Sequence, residues 1–279
     1  MQLIILTGLA LLAFAANSIL NRIALANELI GAGDFALLRV AAGAAMLLLL
    51  LVVRNRQMPS IQKAHVRSVL GLGVYMVGFS YAYINLDAGL GALILFGTVQ
   101  VVMFLAAVVA GESLPATRWL GMALALLGLL VLYWPSGDIA MAWSGALLMS
   151  VAGFGWAFYS LRGRRAEDPL QATAWNFVYA LPLPLVVVMA IPDATSISSA
   201  GLLLALASGA VTSGLGYALW YRVLPQMEIT LSALIQLLVP VLALCLGAVL
   251  LDELITMQAL MATVLIVGGV AIGSILSPR

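Results

Sequence analysis

Long apolar runs alternate with short polar breaks along the whole chain. Each run has close to the 20 or so residues that an α-helix needs to cross the hydrocarbon core of a bilayer. Backbone groups in lipid find no water to bind, so each run is expected to satisfy its own hydrogen bonds as a helix. The pattern predicts an all-α integral membrane protein with ten transmembrane helices, over residues 3–25, 35–53, 66–85, 88–110, 117–134, 143–161, 172–190, 200–224, 229–251 and 257–276.

The composition agrees with a membrane protein and indicates which kinds of partner to expect. Hydrophobic residues make up 64% of the chain and charged residues 8%, whereas a soluble domain carries about 25% charged residues. The net charge of +1 gives no field that would attract nucleic acid. The expected partners are therefore the lipid bilayer and a small-molecule substrate. We expect a monomer, with a dimer as the alternative, and no cofactor or metal, because the sequence holds no motif for either.

Apart from Arg22 and Arg39, the basic residues lie in breaks or near the ends of runs on one side of the predicted membrane. If the amino terminus is cytoplasmic, the outside connections contain acidic residues such as Asp87, Asp193 and Glu253 but no lysine or arginine. Basic loops are retained in the cytoplasm, so both termini are predicted to be cytoplasmic. The basic residues on that side are Arg54, Arg56, Lys63, Arg67, Arg118, Arg162, Arg164, Arg165, Arg222 and Arg279.

Displacing the sequence by 141 residues aligns its scarce polar residues. It sets Asn85-Leu86-Asp87 against Gln226-Met227-Glu228, and Glu112 against Glu253. Each half would hold five helices, an odd number, so the second half would be inverted relative to the first. Inverted repeats are common in transporters, whose substrate site lies near the midplane between them. We predict two repeats, residues 1–137 and 138–279, within one membrane domain.

Short motifs in the two halves are similar to those of a known family. Gly111-Glu112-Ser113-Leu114 precedes Trp119-Leu120-Gly121 in the first half, and Asp252-Glu253-Leu254-Ile255 precedes Gly268-Gly269 in the second. Phe35-Ala36-Leu37-Leu38-Arg39 also places an arginine early in the second helix. In these residues the chain resembles the EamA-type ten-helix branch of the drug/metabolite transporter superfamily, and within it the YddG-type amino-acid exporters.

The resemblance implies a carrier of a bacterial inner membrane that exports or facilitates transport of small organic solutes. Aromatic and hydrophobic amino acids and related metabolites are the implied substrates, moved by alternating access through a central cavity. A multidrug, purine or sugar-nucleotide transporter is the alternative, and a channel is a further one. An enzyme is not expected: Gly31-Ala32-Gly33-Asp34 lacks the second membrane aspartate of a protease dyad, and the apolar runs contain no histidine.

Two further arginines lie within apolar runs away from the basic side, and no buried carboxylate accompanies them. Arg22 is near the outer end of the first run, and Arg39 follows Asp34 in the second. Such a charge should face protein or a wet cavity, because it costs about 2.5–3.5 kcal/mol at the bilayer centre. We hypothesise that Arg39 binds a substrate carboxylate in a bidentate pair. The alternatives are an ion pair with Asp34 or Glu28, or snorkelling to the headgroups.

Groups that could carry a proton are absent from the middle of the apolar runs. Asp and Glu fall at helix ends or in breaks, and the single histidine, His65, is in a break on the basic side. Buried acids and histidines usually form the proton relay of coupled transporters. Their absence favours a facilitator, or coupling through groups at the mouth of the pathway.

Aromatic and amide side chains recur at helical spacing inside several runs. Tyr75, Phe79 and Tyr83 are each four residues apart, which places them in one stripe on the third helix. Stacking faces with a few hydrogen-bonding groups suit an amphipathic organic solute. Together with Arg39, the predicted substrate-binding residues are Asn17, Tyr75, Phe79, Tyr83, Gln100, Trp156, Tyr159, Trp175, Asn176, Tyr179, Tyr217 and Gln236.

A belt at the level of the lipid headgroups is the alternative for aromatic residues near helix ends. The belt is the preferred interpretation for Tyr83, Trp134, Trp143, Trp220 and Tyr221. For the amides, the alternative is a hydrogen bond that joins two helices.

Proline and glycine residues within the runs mark candidate hinges. Pro182 and Pro184 are expected to interrupt the seventh run, and Pro240 frees a backbone carbonyl one turn earlier in the ninth. We predict hinges at Pro240, Gly78 and Gly214. The alternative for the two glycines is close packing between helices.

Overall fold

The computed structural model describes residues 2–57, 59–63, 65–109, 111, 115–134, 143–163, 166–226 and 235–275. Every regular element among these residues is helical, which confirms the predicted all-α class for this part of the chain. The elements are α1 (Gln2–Ala26), α2 (Ala32–Asn55), α3 (Val66–Ala82), α4 (Ala88–Val109), α5 (Ala116–Tyr133), α6 (Trp143–Gly163), α7 (Pro169–Ala180), α8 (Pro182–Ala190), α9 (Ser199–Ala207), a π-helix (Ser208–Leu215), α10 (Gly216–Val223), a 3₁₀ turn (Leu224–Gln226), α11 (Leu238–Leu250) and α12 (Met257–Ile275).

Apolar helices of membrane-spanning length dominate the structure. Among the described residues, six segments are long and apolar enough to cross a bilayer: α1, α2, α4, α6, α7 with α8, and the stretch from α9 to Gln226. Four shorter apolar helices, α3, α5, α11 and α12, accompany them. Large apolar side chains such as Leu49, Leu105, Val151 and Leu203 are exposed, as on a surface that contacts lipid. Each predicted run thus contains apolar helix, while the count of ten crossings stays a prediction.

Two of the predicted runs are not single regular helices. The seventh run is broken between α7, which ends at Ala180, and α8, which begins at Pro182, because proline cannot continue the hydrogen-bond ladder. The eighth run contains the π-helix, which the hydrophobic pattern does not predict. In a π-helix the hydrogen bonds join residues five apart, so the side chains that follow are rotated about the helix axis.

Glycines bring two helix pairs into backbone contact. A Cβ atom on Gly155 of α6 would lie 2.5 Å from the carbonyl oxygen of Gly71 in α3. In the same way, a Cβ on Gly269 of α12 would lie 2.6 Å from the carbonyl oxygen of Gly121 in α5. The α5–α12 pair flanks the bundle and contacts the rest of it mainly through α4. Residues of both helices also line the cavity described next.

Candidate functional site

A cavity of about 1460 Å³ opens on the face of the molecule that carries the basic residues. Its rim includes Lys63, Arg67, Arg118 and Arg162, which lie in a connection or in the first or last turn of a helix. Besides apolar side chains, the lining contains a set of buried or partly buried aromatic and amide residues, which are Gln100, Tyr159, Asn176, Trp220, Tyr221 and Gln236.

Aromatic rings form a continuous buried cluster behind the inner end of this cavity. Trp156 lies at its centre, with ring centroids 5.8 Å from Tyr159, 5.1 Å from Tyr75 and 5.1 Å from Tyr217. The predicted stripe on α3 extends the cluster, since the ring of Phe79 lies 5.4 Å from that of Tyr75 and 4.7 Å from that of Tyr83. The rings of Phe14 and Phe177 pack against Tyr217 from α1 and α7. We call this group the aromatic cluster.

Arg39 is completely buried beside the aromatic cluster. Its Nε donates to Ser213 Oγ at 3.1 Å, and its Nη2 donates to Tyr75 Oη at 2.9 Å. The guanidinium carbon lies 4.7 Å from the ring centroid of Phe79 and 5.3 Å from that of Tyr75, within cation–π range. No carboxylate of the described residues pairs with Arg39, so neither ion pair suggested by the sequence is formed.

Three buried polar atoms of this group lack a hydrogen-bond partner within the described part of the chain. They are Nη1 of Arg39, Nε1 of Trp156 and Oη of Tyr217. Such atoms are exceptional, because leaving a buried polar group unpaired costs about 1–3 kcal/mol. The two nitrogen atoms can only donate, and the tyrosine hydroxyl can donate or accept. The group can therefore receive a ligand that supplies acceptor oxygens.

Asn17 lies in a hydrogen-bond network outside the cavity and the aromatic cluster. Its Oδ1 accepts from Ser208 Oγ at 2.6 Å and from Thr212 Oγ1 at 2.9 Å. Asn21 Nδ2 donates to the carbonyl oxygen of Asn17 at 2.8 Å. The network fixes the π-helix against α1. The same π-helix carries Ser213, the hydroxyl partner of the buried guanidinium.

Two other predicted site residues are tied to the connection between α2 and α3. Trp175 Nε1 donates to the carbonyl oxygen of Ser60 at 2.9 Å, and Tyr179 Oη donates to that of Gln62 at 2.9 Å. Trp175 also lines the cavity, as does Asn176, whereas Tyr179 lies in neither the cavity lining nor the aromatic cluster.

The interfacial-belt interpretation is wrong for three of the five aromatic residues to which it was applied. Tyr83, Trp220 and Tyr221 are buried, with exposed fractions of 0%, 2% and 5%. Trp134 and Trp143 are exposed by 71% and 58%, as belt residues are. Position near a helix end does not reveal which face a side chain occupies, and these three face other helices.

The candidate hinges lie at close contacts or at a helix start. A Cβ on Gly78 would lie 3.0 Å from the carbonyl oxygen of Leu148, and one on Gly214 would lie 3.0 Å from Met46 Cβ. Both glycines thus have the packing role of the alternative interpretation. Pro240 lies in the first turn of α11, just after the turn at Leu237 that separates this helix from the helical residues Ile235 and Gln236. The hinge roles stay predictions.

A smaller cavity of about 510 Å³ lies at the opposite ends of the helices, beside acidic residues. Arg22 Nη2 lies 3.0 Å from Asp87 Oδ1, and Arg22 Nε lies 3.6 Å from Glu253 Oε1. Arg22 Nη1 also donates to the carbonyl oxygens of Tyr83 and Ile84, at 3.3 and 3.1 Å. Sequence reasoning did not single out Asp87 or Glu253 as site residues, although the repeat alignment contains both. The aligned Glu112 lies outside the described residues.

Asp168, at the start of α7 on the basic side, pairs with Arg54 at the end of α2. Its Oδ1 also accepts the backbone N–H of Gln171 at 3.1 Å and so caps the helix. The hydrogen bond from Arg54 holds the pKa of the Asp168 carboxyl below its usual value. Among the described residues, no three His, Cys, Asp or Glu side chains are grouped so that they could hold a metal ion.

Comparisons with known proteins converge on one family. The sequence model of the EamA-like transporter family matches residues 1–134 and 143–275. The uncharacterized protein PA1977 of Pseudomonas aeruginosa is 46% identical over 99% of this chain and 95% of that protein. A Salmonella typhimurium protein named as a probable amino-acid metabolite efflux pump is 29% identical over 73% of this chain and 75% of its own. A crystal structure of another protein shares the fold, with a TM-score of 0.71 over 98% of this chain and 97% of that chain at 20% identity.

Proposed function

Because this chain belongs to the EamA-like transporter family, we propose that it is a carrier for small organic solutes, above all aromatic and hydrophobic amino acids. The name of the Salmonella relative, an amino-acid metabolite efflux pump, supports this substrate class. A basic rim at one face supports a position in the inner membrane with both termini in the cytoplasm. The rim also raises the local concentration of solutes that carry a carboxylate.

The observation that carries this proposal is the buried guanidinium of Arg39, whose Nη1 amino group is unpaired. A buried cation without a counter-ion is costly to keep dehydrated. A solute carboxylate would accept from Arg39 Nη1 and neutralise the charge, and Trp156 Nε1 offers a second donor from the same cluster. The surrounding rings would receive the apolar side chain of the amino acid.

The route to Arg39 passes the rings of the aromatic cluster. Tyr159 lines the cavity, Trp156 lies behind it, and Arg39 is not part of the cavity lining. A solute that enters from the basic face therefore reaches Arg39 only when these rings move aside. We assign this movement to the occlusion step of alternating access.

Two inverted five-helix repeats would provide openings on the two faces in turn. The contacts between helices support this organisation, because contacts between a helix of one repeat and a helix of the other have counterparts in which the two repeats are exchanged. The contact of α3 with α6 has its counterpart between α1 and the α9–α10 segment, and that of α4 with α6 between α1 and α11. The two stretches matched by the family divide the chain at the same place. One chain supplies the whole pathway, so we propose a monomer as the working unit.

Uptake into proteoliposomes tests the substrate class. We expect saturable uptake of labelled phenylalanine that tryptophan and leucine inhibit. Phenethylamine and phenylalanine amide, which lack the carboxylate, should inhibit poorly. Inhibition by a purine or a cationic drug but by no amino acid would contradict the proposal. Flux that does not saturate would indicate a channel.

Substitution of Arg39 tests its role in binding. Arg39→Leu should lower phenylalanine uptake by about tenfold or more, the effect of losing a charge-assisted hydrogen bond. Arg39→Lys should be intermediate, because lysine keeps the charge without the planar fork. Arg54→Gln, at the surface end of the same helix, is the control and should transport normally. Normal uptake by Arg39→Leu would reject the carboxylate site.

A further inference from the structure

Glu253 directs its carboxylate into the protein, at the start of α4. Only 11% of its side chain is exposed, although it lies in the connection between α11 and α12. Its two carboxylate oxygens accept the backbone N–H of Ala88 at 2.8 and 3.0 Å. The N–H groups at a helix start have no partner within the helix and carry partial positive charge. An ionised Glu253 therefore stabilises the start of α4.

The local backbone is shaped to hold this carboxylate. Asp252 has a φ of 53°, in the left-handed region, which turns the chain sharply after α11. Gly247 leaves room for the carboxylate, since a Cβ there would overlap it. The backbone N–H of Glu253 donates to the carbonyl oxygen of Gly247 at 3.2 Å. The turn at Asp252, the small residue Gly247 and the backbone hydrogen bond between Glu253 and Gly247 therefore fix the position of the Glu253 carboxylate.

A chain of direct contacts leads from Glu253 to the proposed substrate site. Glu253 holds the N–H of Ala88, and the hydroxyl of Tyr83 donates to the carbonyl oxygen of the same residue at 3.2 Å. The buried ring of Tyr83 packs on Phe79, and Phe79 lies under the guanidinium of Arg39. Tyr83 therefore lies between the acidic cavity and Arg39, and its position depends on Ala88.

We propose that Glu253 is a proton-binding site that controls the opening of the acidic face, an inference that rests on the proposed carrier function. The ionised carboxylate holds the start of α4, and through Ala88 it holds Tyr83 across the pathway. Protonation removes the negative charge that binds the Ala88 N–H and Arg22. The start of α4 is then released together with Tyr83, and the acidic face opens.

Charged groups from every neighbouring element act on this proton. Arg22 of α1 attracts the ionised carboxylate, whereas Asp87, before α4, repels it, and Asp252 adjoins it. The phenol of Tyr83 faces the same carboxylate from the end of α3. Burial, assisted by Asp87, raises the pKa of Glu253 above its ordinary value, although the Ala88 N–H and Arg22 act in the opposite direction. The raised pKa moves proton uptake toward weakly acidic conditions.

Cysteine labelling tests the gate without any transported solute. Leu90, which is buried and lines the acidic cavity, is replaced by cysteine in a Cys245→Ala background. A membrane-impermeant maleimide then reports on opening. At neutral pH, adding Glu253→Gln should speed labelling by about tenfold, the effect of losing a charged hydrogen bond. As the pH is lowered, the labelling rates of the two proteins should converge, because protonation of Glu253 removes the charge by which they differ. Their ratio at each pH cancels the titration of the thiol itself.

Two further variants separate proton binding from a general disturbance. Asp252→Asn removes the adjacent acid, keeps a residue that tolerates the left-handed region, and should label like the parent. Asp87→Asn removes the negative charge that repels the ionised Glu253. The increase in labelling rate on acidification should therefore occur at a lower pH than in the parent. Equal labelling of Glu253→Gln and its parent at neutral pH overturns the proposal. If Glu253→Gln does not fold, an unshifted response of Asp87→Asn overturns it.

The two proposals can fail separately. A labelling rate that depends on pH through Glu253, in a protein that takes up no amino acid, would reject the proposed substrates and keep the gate. Uptake that depends on Arg39, with labelling that ignores Glu253, would do the reverse.

Discussion

At the scale of single residues, Arg39 is a cation held in an apolar interior by neutral partners. A hydroxyl binds each of two guanidinium nitrogens, and the rings of Tyr75 and Phe79 cover its face. A desolvated cation–π contact contributes about 2 kcal/mol, and a hydrogen bond to a charged group about 1.5–3 kcal/mol. These contacts stabilise the buried charge but leave the Nη1 amino group unpaired. A bound solute that pairs with it should therefore stabilise the folded protein.

The hydroxyl of Tyr75 should matter for both stability and affinity. Tyr75→Phe removes the partner of Arg39 Nη2, and we expect a loss of about 1–3 kcal/mol in stability and a raised KM for phenylalanine. Melting temperature in detergent and proteoliposome uptake measure the two effects. Tyr179→Phe, whose hydroxyl binds the Gln62 carbonyl, is the control and should leave KM unchanged. An unchanged KM in Tyr75→Phe would remove Tyr75 from the site.

The ion pair of Asp168 should make stability depend on pH. Its pKa is lowered in the folded state, so its contribution is present above the unfolded value of about 3.9 and is lost as the pH falls through the folded value. Asp168→Asn keeps the helix cap, and we expect it to be less stable by about 0.2–1 kcal/mol at neutral pH. The gap in melting temperature between Asp168→Asn and the parent should be present at neutral pH and should close at strongly acidic pH. Glu167→Gln, the neighbouring acid, should show no gap, and a gap in Asp168→Asn that persists in acid would contradict the assignment.

At the scale of elements, the sequence predicted a break in a helix correctly where a residue type changes the hydrogen bonding of its own backbone. The prolines of the seventh run predicted the break before α8, because proline removes a donor at any position. The π-helix could not be predicted, since a run of apolar and small residues carries no signal for one extra residue per turn. Ser213 was missed for this reason, because only the π-helix brings it to Arg39.

The contact between α6 and α3 at Gly155 should leave no room for a side chain at that position. The Cβ of Gly155→Ala would lie 2.5 Å from the carbonyl oxygen of Gly71 and 2.9 Å from the backbone nitrogen of Tyr75. Both atoms belong to the backbone of α3, so the helices must separate, at a cost of about 1–3 kcal/mol. We expect a lower melting temperature in detergent. Gly8→Ala, which would contact nothing within 4 Å, is the matched control, and an equal effect of the two would refute this packing argument.

At the scale of the whole molecule, charge and hydropathy predicted the membrane class, and the scarcity of charge identified Arg39. They could not separate buried aromatic residues from lipid-facing ones, because both faces of a membrane helix are apolar. Trp220 and Trp134 are equally aromatic and equally near a helix end, yet they are exposed by 2% and 71%. The Arg22–Glu253 pair was also missed, because it joins residues far apart in sequence across two connections.

The flanking position of α5 has a consequence for biosynthesis. Its glycine face is covered mainly by α12, which leaves the ribosome only after α6 to α11. Until then, α5 is in the membrane without its main partner and depends on lipid and α4 to cover it. Loss of α12 by premature termination would leave the Gly121 face of α5 open to foreign helices or membrane proteases. The glycine face of α5 should therefore be covered only once α12 has entered the membrane.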